Sequence, residues 1–288
     1  AYGQTGSLAM NKERFNNIKG VSAVTLCLLF ILMLSGFKAV QENSVTIEQV
    51  QKEHGVVLVG INSNYYPVTI ELDLKLKNMI SSEKNPLTTV IPGKSKLELL
   101  ELEVDTPNSS SGWEYNFKYY QGSIFAKHND KIAYRLPYKI GEQHRLDQGY
   151  NGKFSHKGDS RYSLDFNMEE GTEIYSSRAG TVVEIEARYS NGGKHKSFID
   201  KANYVTILHD DGTFAQYSHL RKNGVTVSIG QKVKVGERIG YSGSTGYVTG
   251  PHLHFTVLQA KKGGGFISIP VKFATRAGIK TLEEKKTY

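Results

Sequence analysis

The amino-acid sequence predicts an all-β protein with two β-rich domains that follow an apolar helix near the N-terminus. Apolar and polar residues alternate in several segments between residues 56 and 138, which is the pattern of half-buried strands. From residue 154 onward, glycine turns and β-branched residues dominate, and long helical periods are absent. A chain of 288 residues is long enough for two domains with separate cores.

The composition restricts the partners and the metal ligands. With 39% hydrophobic residues, 22% charged residues and a formal net charge of +8, the chain suits an acidic partner such as an anionic lipid or cell-wall polymer. The basic residues are scattered and match no nucleic-acid motif, so we expect no nucleic-acid partner. Cys27 is the only cysteine, which excludes an internal disulfide and a cysteine-based zinc site. Any metal must be held by His, Asp or Glu.

Residues 1–40 are predicted to carry an export signal or membrane anchor. Residues 1–9 precede Met10 and resemble a fusion remnant or an upstream start. Basic residues at 12, 14 and 19 precede an uncharged segment at 20–37, whose length lies between a signal-peptide core and a spanning helix of about 20 residues. The basic flank places the rest of the chain outside the cytoplasm. Since no small-residue cleavage site is evident, we favour an inner-membrane anchor facing the periplasm over a secreted protein.

Residues 41–139 are predicted to form a small β-sandwich. Alternation at 68–76 predicts one strand. Alternation at 97–104 predicts a second, with a bulge where Leu99 and Leu100 break the period. Aromatic residues at 113, 115, 117 and 119 predict a third strand, and those at 134 and 138 a fourth. Several short strands separated by turns are typical of a β-sandwich, and nothing in this domain indicates chemistry.

Beyond a linker at 140–153, residues 154–275 are predicted to form a second β domain, followed by a basic tail at 276–288. Segments 171–183 and 230–240 each join a glycine turn to a strand, which indicates a duplicated-hairpin sandwich (a barrel-sandwich hybrid). Between them, an Asp-Gly turn at 210–213 separates two apolar strands and is a strong hairpin signal. Related sandwiches carry biotin or lipoyl groups on a lysine at a hairpin tip, and this turn has no lysine.

Residues 250–255 read GPHLHF and follow a glycine-rich segment at 240–249, which predicts a loop leading into a strand. In an extended strand, residues two apart point to one face, so His252 and His254 would project side by side. Leu253 and Phe255 would point to an apolar layer on the other face. Imidazole is a good zinc ligand, so this pair is the start of a metal site.

Three further polar residues interrupt apolar segments. Asp165 lies between two apolar residues, and burying an unpaired carboxylate costs several kcal/mol, so it needs either a cation or an arginine such as Arg161 or Arg178. His219 ends a predicted strand and His156 precedes a loop, and each alone is compatible with a structural role. Five residues together would supply a zinc ion with three ligands, an open position and imidazoles for proton transfer: His156, Asp165, His219, His252 and His254.

The region at 153–271 resembles the lysostaphin-type zinc metallo-endopeptidases. Three separated motifs carry the resemblance in the family's order: 164–172, 203–220 and 246–255. The resemblance implies one zinc ion with Asp165 and His254 as ligands. It also implies that His219 and His252 orient the attacking water and stabilise or protonate the tetrahedral intermediate.

One position departs from the family's pattern. The family places its first ligand, a histidine, four residues before the aspartate, where this chain has Arg161. A guanidinium is always protonated and cannot bind zinc. The nearest upstream histidine is His156, nine residues before Asp165, and we predict that a bulged loop makes it the third ligand. His144 is a poorer substitute. The remaining candidates, His195 and His209, are expected to be structural.

The resemblance implies a zinc-dependent endopeptidase that cuts the stem-peptide cross-links of bacterial peptidoglycan with a zinc-activated water. An exported, basic protein without disulfides agrees with a cell-envelope location. A second interpretation stays open because of Arg161. In it, the domain is a catalytically degenerate binding or activator module that acts on cell-wall hydrolases.

Overall fold

The computed structural model describes residues 45–53 and 55–288. The predicted N-terminal anchor and Cys27 lie outside these residues. Within the described ranges, the structure contains no helix with the length and apolar character needed to cross a bilayer. Its described elements are β-strands and two short 3₁₀ helices, so the all-β prediction is confirmed for this part of the chain.

Seven strands build the N-terminal sandwich. They are β1 Val45–Gln51, β2 Gly55–Asn62, β3 Val68–Lys77, β4 Met79–Ser81, β5 Leu87–Ile91, β6 Ser95–Val104 and β7 Gly112–Gln121. One sheet has the order β1-β2-β6-β4 and the other β5-β3-β7. Buried side chains from both sheets, among them Leu58, Ile70 and Leu102, share one core. The alternating segments at 68–76 and 113–119 lie in β3 and β7, as predicted.

The bulge predicted in β6 is confirmed. Leu58 pairs with Leu100 and Val59 pairs with Glu98, so Leu99 has no partner across the ladder. The extra residue lets both Leu99 and Leu100 be buried, which a regular strand with a period of two does not allow.

The second part of the chain contains fifteen strands and the two 3₁₀ helices. The strands up to the central hairpin are β8 Ala133–Arg135, β9 Leu146–Gln148, β10 Ser163–Asn167, β11 Glu173–Tyr175, β12 Gly180–Glu186, β13 Gly192–Gly193, β14 Asn203–Leu208 and β15 Phe214–Val225. The later strands are β16 Lys232–Val233, β17 Arg238–Ser242, β18 Gly246–Tyr247, β19 His252–Ala260, β20 Phe266–Ser268, β21 Lys272–Thr275 and β22 Gly278–Lys280. The 3₁₀ helices are Gly158–Ser160 and Lys196–Phe198.

The main sheet has the order β16-β12-β14-β15-β19-β10-β9. The predicted hairpin joins β14 to β15, and Gly212 takes a φ of +83° in its turn, a conformation that glycine adopts without strain. The two similar segments found in the sequence pair with each other, β11 with β17 and β12 with β16. This mutual pairing agrees with a duplicated hairpin.

The prediction that residues 134–138 form a fourth strand of the sandwich is wrong. The strand in this region covers only Ala133–Arg135, and it pairs in parallel with β21 of the second part of the chain. The physical reason is aromatic packing, because the Tyr134 ring lies 6.5 Å from that of Phe255 and 6.2 Å from that of Phe273. The predicted linker contributes β9 to the main sheet, and Tyr288 exchanges backbone hydrogen bonds with His144. The domain boundaries remain a prediction.

One face of the main sheet carries a polar row and an apolar row. Residues paired directly across antiparallel strands share a face. The polar row is Asp165, His254, Ser218 and Tyr204. Four residues further along two of these strands, Leu258 pairs with Phe214, and both are buried in the core of the N-terminal sandwich. The sandwich therefore packs on the same face as His254, about 13 Å along the strand from it.

Candidate metal centre

The strand register brings Asp165 next to His254. The two residues pair across β10 and β19, and Oδ1 of Asp165 lies 2.8 Å from Nδ1 of His254. Two residues before His254, the Nε2 atom of His252 lies 3.9 Å from the same oxygen. Leu253 and Phe255 are buried on the other face. The alternation predicted for this strand is confirmed.

The segment between β9 and β10 brings His156 to the other oxygen of the carboxylate. Nε2 of His156 lies 3.2 Å from Oδ2 of Asp165, while Nδ1 lies 2.9 Å from the carbonyl oxygen of Gly149. Arg161 is exposed, and its Nε donates to the carbonyl of Gly158. The chain therefore places His156, and not Arg161, beside the aspartate.

The surroundings of the His156 ring indicate that this cluster fits a metal. A backbone carbonyl only accepts hydrogen bonds, so Nδ1 carries a proton and Nε2 is the nitrogen that faces the carboxylate. Burial by itself lowers the pKa of His156, but the adjacent carboxylate of Asp165 outweighs it and raises that pKa. Nε2 is buried without a hydrogen-bond partner, although it faces a carboxylate oxygen of Asp165. Two acceptors in this arrangement need a proton or a cation between them. Ligand atoms of His156, Asp165 and His254 lie within 4.8 Å of one another, and zinc binds this donor set.

Charge keeps the carboxylate ionised. Burial by itself raises the pKa of Asp165, but the adjacent imidazoles of His156 and His254 outweigh it and hold that pKa well below its usual range. Burial lowers the pKa of His254, and the other imidazoles lower it further, although the carboxylate opposes this shift. Asp165 and His254 can therefore bind a divalent cation without first losing a proton, whereas a protonated His156 would release one on binding.

His219 reaches the site through an unusual backbone conformation. Its neighbour Ser218 pairs with His254, so in a regular strand His219 would point to the opposite face. Instead His219 has a φ of +66°, a left-handed conformation that is strained for residues other than glycine. Its ring centroid lies 4.7 Å from that of His252. The strand continues to Val225, so the expectation that it ends at His219 is wrong.

His219 and His252 present the same nitrogen to the site. Nδ1 of His219 donates to the carbonyl of Thr245 at 2.7 Å, and Nδ1 of His252 donates to the carbonyl of Gly250 at 2.9 Å. Both rings therefore keep a lone pair on Nε2. Burial lowers the pKa of His219 to about 3, and the charges of His252 and His254 act in the same direction. His219 is consequently neutral at pH 7, and the lone pair on its Nε2 is free to accept a hydrogen bond.

Two residues that support the site were not found from the sequence. Gln148 donates to Oδ2 of Asp165 at 2.8 Å, and it lies in the segment predicted to be a linker. Thr245 holds the ring of His219 and lies in the glycine-rich loop. Neither position carries a sequence signal beyond a polar residue in a turn-rich segment.

The other histidines considered as ligands lie away from this cluster. His144 contacts the carbonyl of Asn167, and His195 accepts from the backbone N–H of Ser197 at a 3₁₀ helix. His209 contacts the carbonyl of Ala179 at the opposite end of β14. Each therefore has a local structural contact in place of one with Asp165.

Comparisons with known proteins match part of the chain to a peptidase family. Residues 159–264 match the family model described as peptidase family M23. An uncharacterized metalloprotease of Buchnera aphidicola is 31% identical over 206 residues, which cover 67% of this chain and 50% of the relative. Peptidoglycan DD-endopeptidase ShyA of Vibrio cholerae is 33% identical over 48% of this chain and 30% of its own. Lysostaphin of Staphylococcus simulans is 37% identical over 42% of this chain and 22% of its own.

By this match, residues 159–264 form a metallopeptidase domain, which contains Asp165, His219, His252 and His254. That domain is a member of peptidase family M23, and the resemblance to the lysostaphin-type enzymes is confirmed. The chain spans half or less of the length of these three relatives. The segment that matches the family model begins after His156, so the place of His156 in the cluster rests on the geometry described above.

Proposed function

We propose that this protein is a zinc-dependent endopeptidase that hydrolyses the peptide cross-links of bacterial peptidoglycan. In this proposal His156, Asp165 and His254 hold one zinc ion. The observation that carries it is the buried Nε2 of His156, which faces Oδ2 of Asp165 at 3.2 Å without a hydrogen-bond partner. The substrate class is supported by the similarity to ShyA, a peptidoglycan DD-endopeptidase.

When bound, a zinc ion would polarise the scissile carbonyl and lower the pKa of a water molecule. The remaining proton transfers are assigned to His219 and His252. Their backbone hydrogen bonds fix Nδ1 as the donor, so Nε2 accepts a proton from the nucleophile and returns it to the leaving amine. Once protonated, either ring stabilises negative charge on the tetrahedral intermediate through a charged hydrogen bond.

The location proposed for the enzyme is the cell envelope. The net charge of +8 favours association with an anionic wall polymer. The uncharged segment at 20–37 supports export, and its role as a membrane anchor remains a prediction because it lies outside the described residues.

The degenerate-module interpretation was motivated by Arg161. That side chain is exposed and bonded to Gly158, whereas Nε2 of His156 lies 3.2 Å from Oδ2 of Asp165. The described cluster therefore has three candidate metal ligands despite the arginine at residue 161. For this reason we favour the interpretation as an enzyme.

The proposal is tested by replacing His156. We expect the wild-type protein to contain one zinc ion per chain by plasma mass spectrometry. It should also convert cross-linked muropeptides to monomers, which are measured after the treated sacculi are digested with a muramidase. His156→Ala should lose zinc and hydrolysis together, because two protein ligands bind zinc poorly. His144→Ala is the matched control, since His144 is a nearby histidine outside the cluster.

Two results would contradict different parts of the proposal. Full zinc occupancy in His156→Ala would remove His156 from the ligand set. A wild-type protein that holds one zinc ion and leaves sacculi intact would favour the binding or activator module.

A further inference from the structure

One buried side chain connects the aspartate to the segment that carries His156. Gln148 is 9% exposed and lies at the end of β9. Its Nε2 donates to Oδ2 of Asp165 and to Oγ of Ser155, each at 2.8 Å. Its Oε1 accepts from the backbone N–H groups of Phe154 at 2.9 Å and Ser155 at 3.1 Å. The carboxamide therefore uses both its donor and its acceptor atoms.

The segment around this side chain has no strand of its own. Residues 149–157 belong to no strand or helix. At Gly152, an added Cβ would lie 2.2 Å from Cγ of Gln148, so only glycine allows the backbone to approach this closely. Residues 152–155 therefore pack closely against the side chain of Gln148, and His156 follows directly after them.

The same amide also orients the carboxylate. Oδ2 of Asp165 accepts from Gln148 and faces His156, while Oδ1 faces His254. Hydrogen bonds to a ligating carboxylate fix its orientation and commonly change metal affinity by 10–100-fold. A neutral amide does this without adding a positive charge that would repel a cation.

We propose that Gln148 is a positioning residue that fixes Asp165 and the His156 segment in one metal-binding arrangement. Such a residue is needed here because the histidine lies nine residues before the aspartate and comes from an irregular segment rather than the strand that holds Asp165. The inference rests on the proposed function only in taking these residues as metal ligands.

The test compares three substitutions of Gln148 with a control. Gln148→Leu removes all four hydrogen bonds. Gln148→Glu keeps an oxygen for the backbone of Phe154 and Ser155 but replaces the donor to Asp165 with a negative oxygen. Gln148→Asn keeps the amide and shortens its reach. The matched control is Gln143→Leu, at an exposed glutamine five residues upstream.

The readouts are zinc affinity, by competition with a chromophoric chelator, and the visible spectrum of the cobalt-substituted protein. We expect Gln148→Leu and Gln148→Asn, where folded, to bind zinc 10–100-fold more weakly, and each folded Gln148 variant to show an altered cobalt spectrum. Gln143→Leu should match the wild type. Circular dichroism of the metal-free proteins reports whether each variant folds.

Three outcomes separate the inference from the proposed function. Folded Gln148 variants with wild-type zinc affinity and an unchanged cobalt spectrum overturn the positioning role. If all three variants unfold without metal while the control folds, Gln148 is structural and the inference is also overturned. A wild-type protein that binds no zinc contradicts the proposed function instead.

Discussion

The two ends of the β14–β15 hairpin each hold a histidine bonded to a backbone carbonyl, and only one of these histidines lies in the candidate site. His209, near the turn, donates Nδ1–H to the carbonyl of Ala179, and His219, at the other end, donates to that of Thr245. Burial lowers the pKa of His209 to about 4 and that of His219 to about 3. A neutral imidazole with a lowered pKa is therefore not sufficient to define a functional site.

The surroundings of the two rings make the difference. His219 lies beside the rings of His252 and His254, and His254 contacts Asp165. His209 packs against the edge of Tyr134, and no ion pair of the described residues includes it. What distinguishes the candidate site is that several donors from separate strands converge on one ionised carboxylate.

The largest expected effect is a loss of catalysis on substitution of His219, at the end of the hairpin away from the turn. His219→Ala should keep one zinc ion per chain and lower kcat/KM on peptidoglycan by about 10²–10⁴-fold, the usual contribution of a general acid or base. Zinc content and the rate of cross-link hydrolysis are measured on the same preparation. His195→Ala is the control. Unchanged turnover in His219→Ala would remove this residue from the mechanism.

At the turn end, a substitution should affect stability and not metal binding. Arg178 donates to Asp211 at 2.7 Å, and the two side chains are 6% and 10% exposed. Asp211→Ala leaves Arg178 paired only with the exposed Asp210, and breaking a buried pair costs about 3 kcal/mol. Urea unfolding should show this loss, while zinc content stays at the wild-type level. A loss of zinc with unchanged stability would contradict the separation of the two ends.

The smallest expected effect is an acid dependence of stability due to His209. Its folded pKa is lowered to about 4 from 6.5, so the unfolded chain binds a proton that the folded protein does not. The contribution of the neutral His209 ring to the free energy of unfolding is therefore fully present above pH 6.5 and is lost as the pH falls towards 4. As the pH falls from about 6.5 to 5, protonation of His209 in the unfolded chain lowers the free energy of unfolding by about 2 kcal/mol.

His209→Asn tests this dependence without disturbing the metal site. The metal-free variant should lose about 2 kcal/mol less than the metal-free wild type over this pH range. The difference isolates His209 from the other histidines that titrate. Identical pH slopes for the two proteins would show that His209 does not carry the effect.

Local patterns were sufficient for much of the fold. Alternation identified β3 and the faces of β19, and the Asp-Gly turn identified the hairpin, because each depends on residues close in sequence. Alternation does not tell which sheet a strand joins, and for that reason residues 133–135 were assigned to the wrong part of the protein. Tyr134 is placed by aromatic packing with residues more than 100 positions away.

The candidate site was predictable only in part. His252 and His254 follow from strand periodicity, and Asp165 from a carboxylate between apolar residues. The path that brings His156 to Asp165 depends on an irregular segment, and the left-handed backbone at His219 depends on a bulge. No sequence pattern identifies Gln148, because its role depends on the contacts that the nitrogen and the oxygen of its side-chain amide make in the folded protein.

The central claim, that His156 replaces the family's first ligand, is tested most directly by a crystal structure of the zinc-loaded protein with data collected at the zinc absorption edge. We predict one anomalous peak about 2.0–2.2 Å from a nitrogen of His156, an oxygen of Asp165 and a nitrogen of His254. A peak bound by Asp165 and His254 without His156, or a peak elsewhere in the protein, would contradict the account.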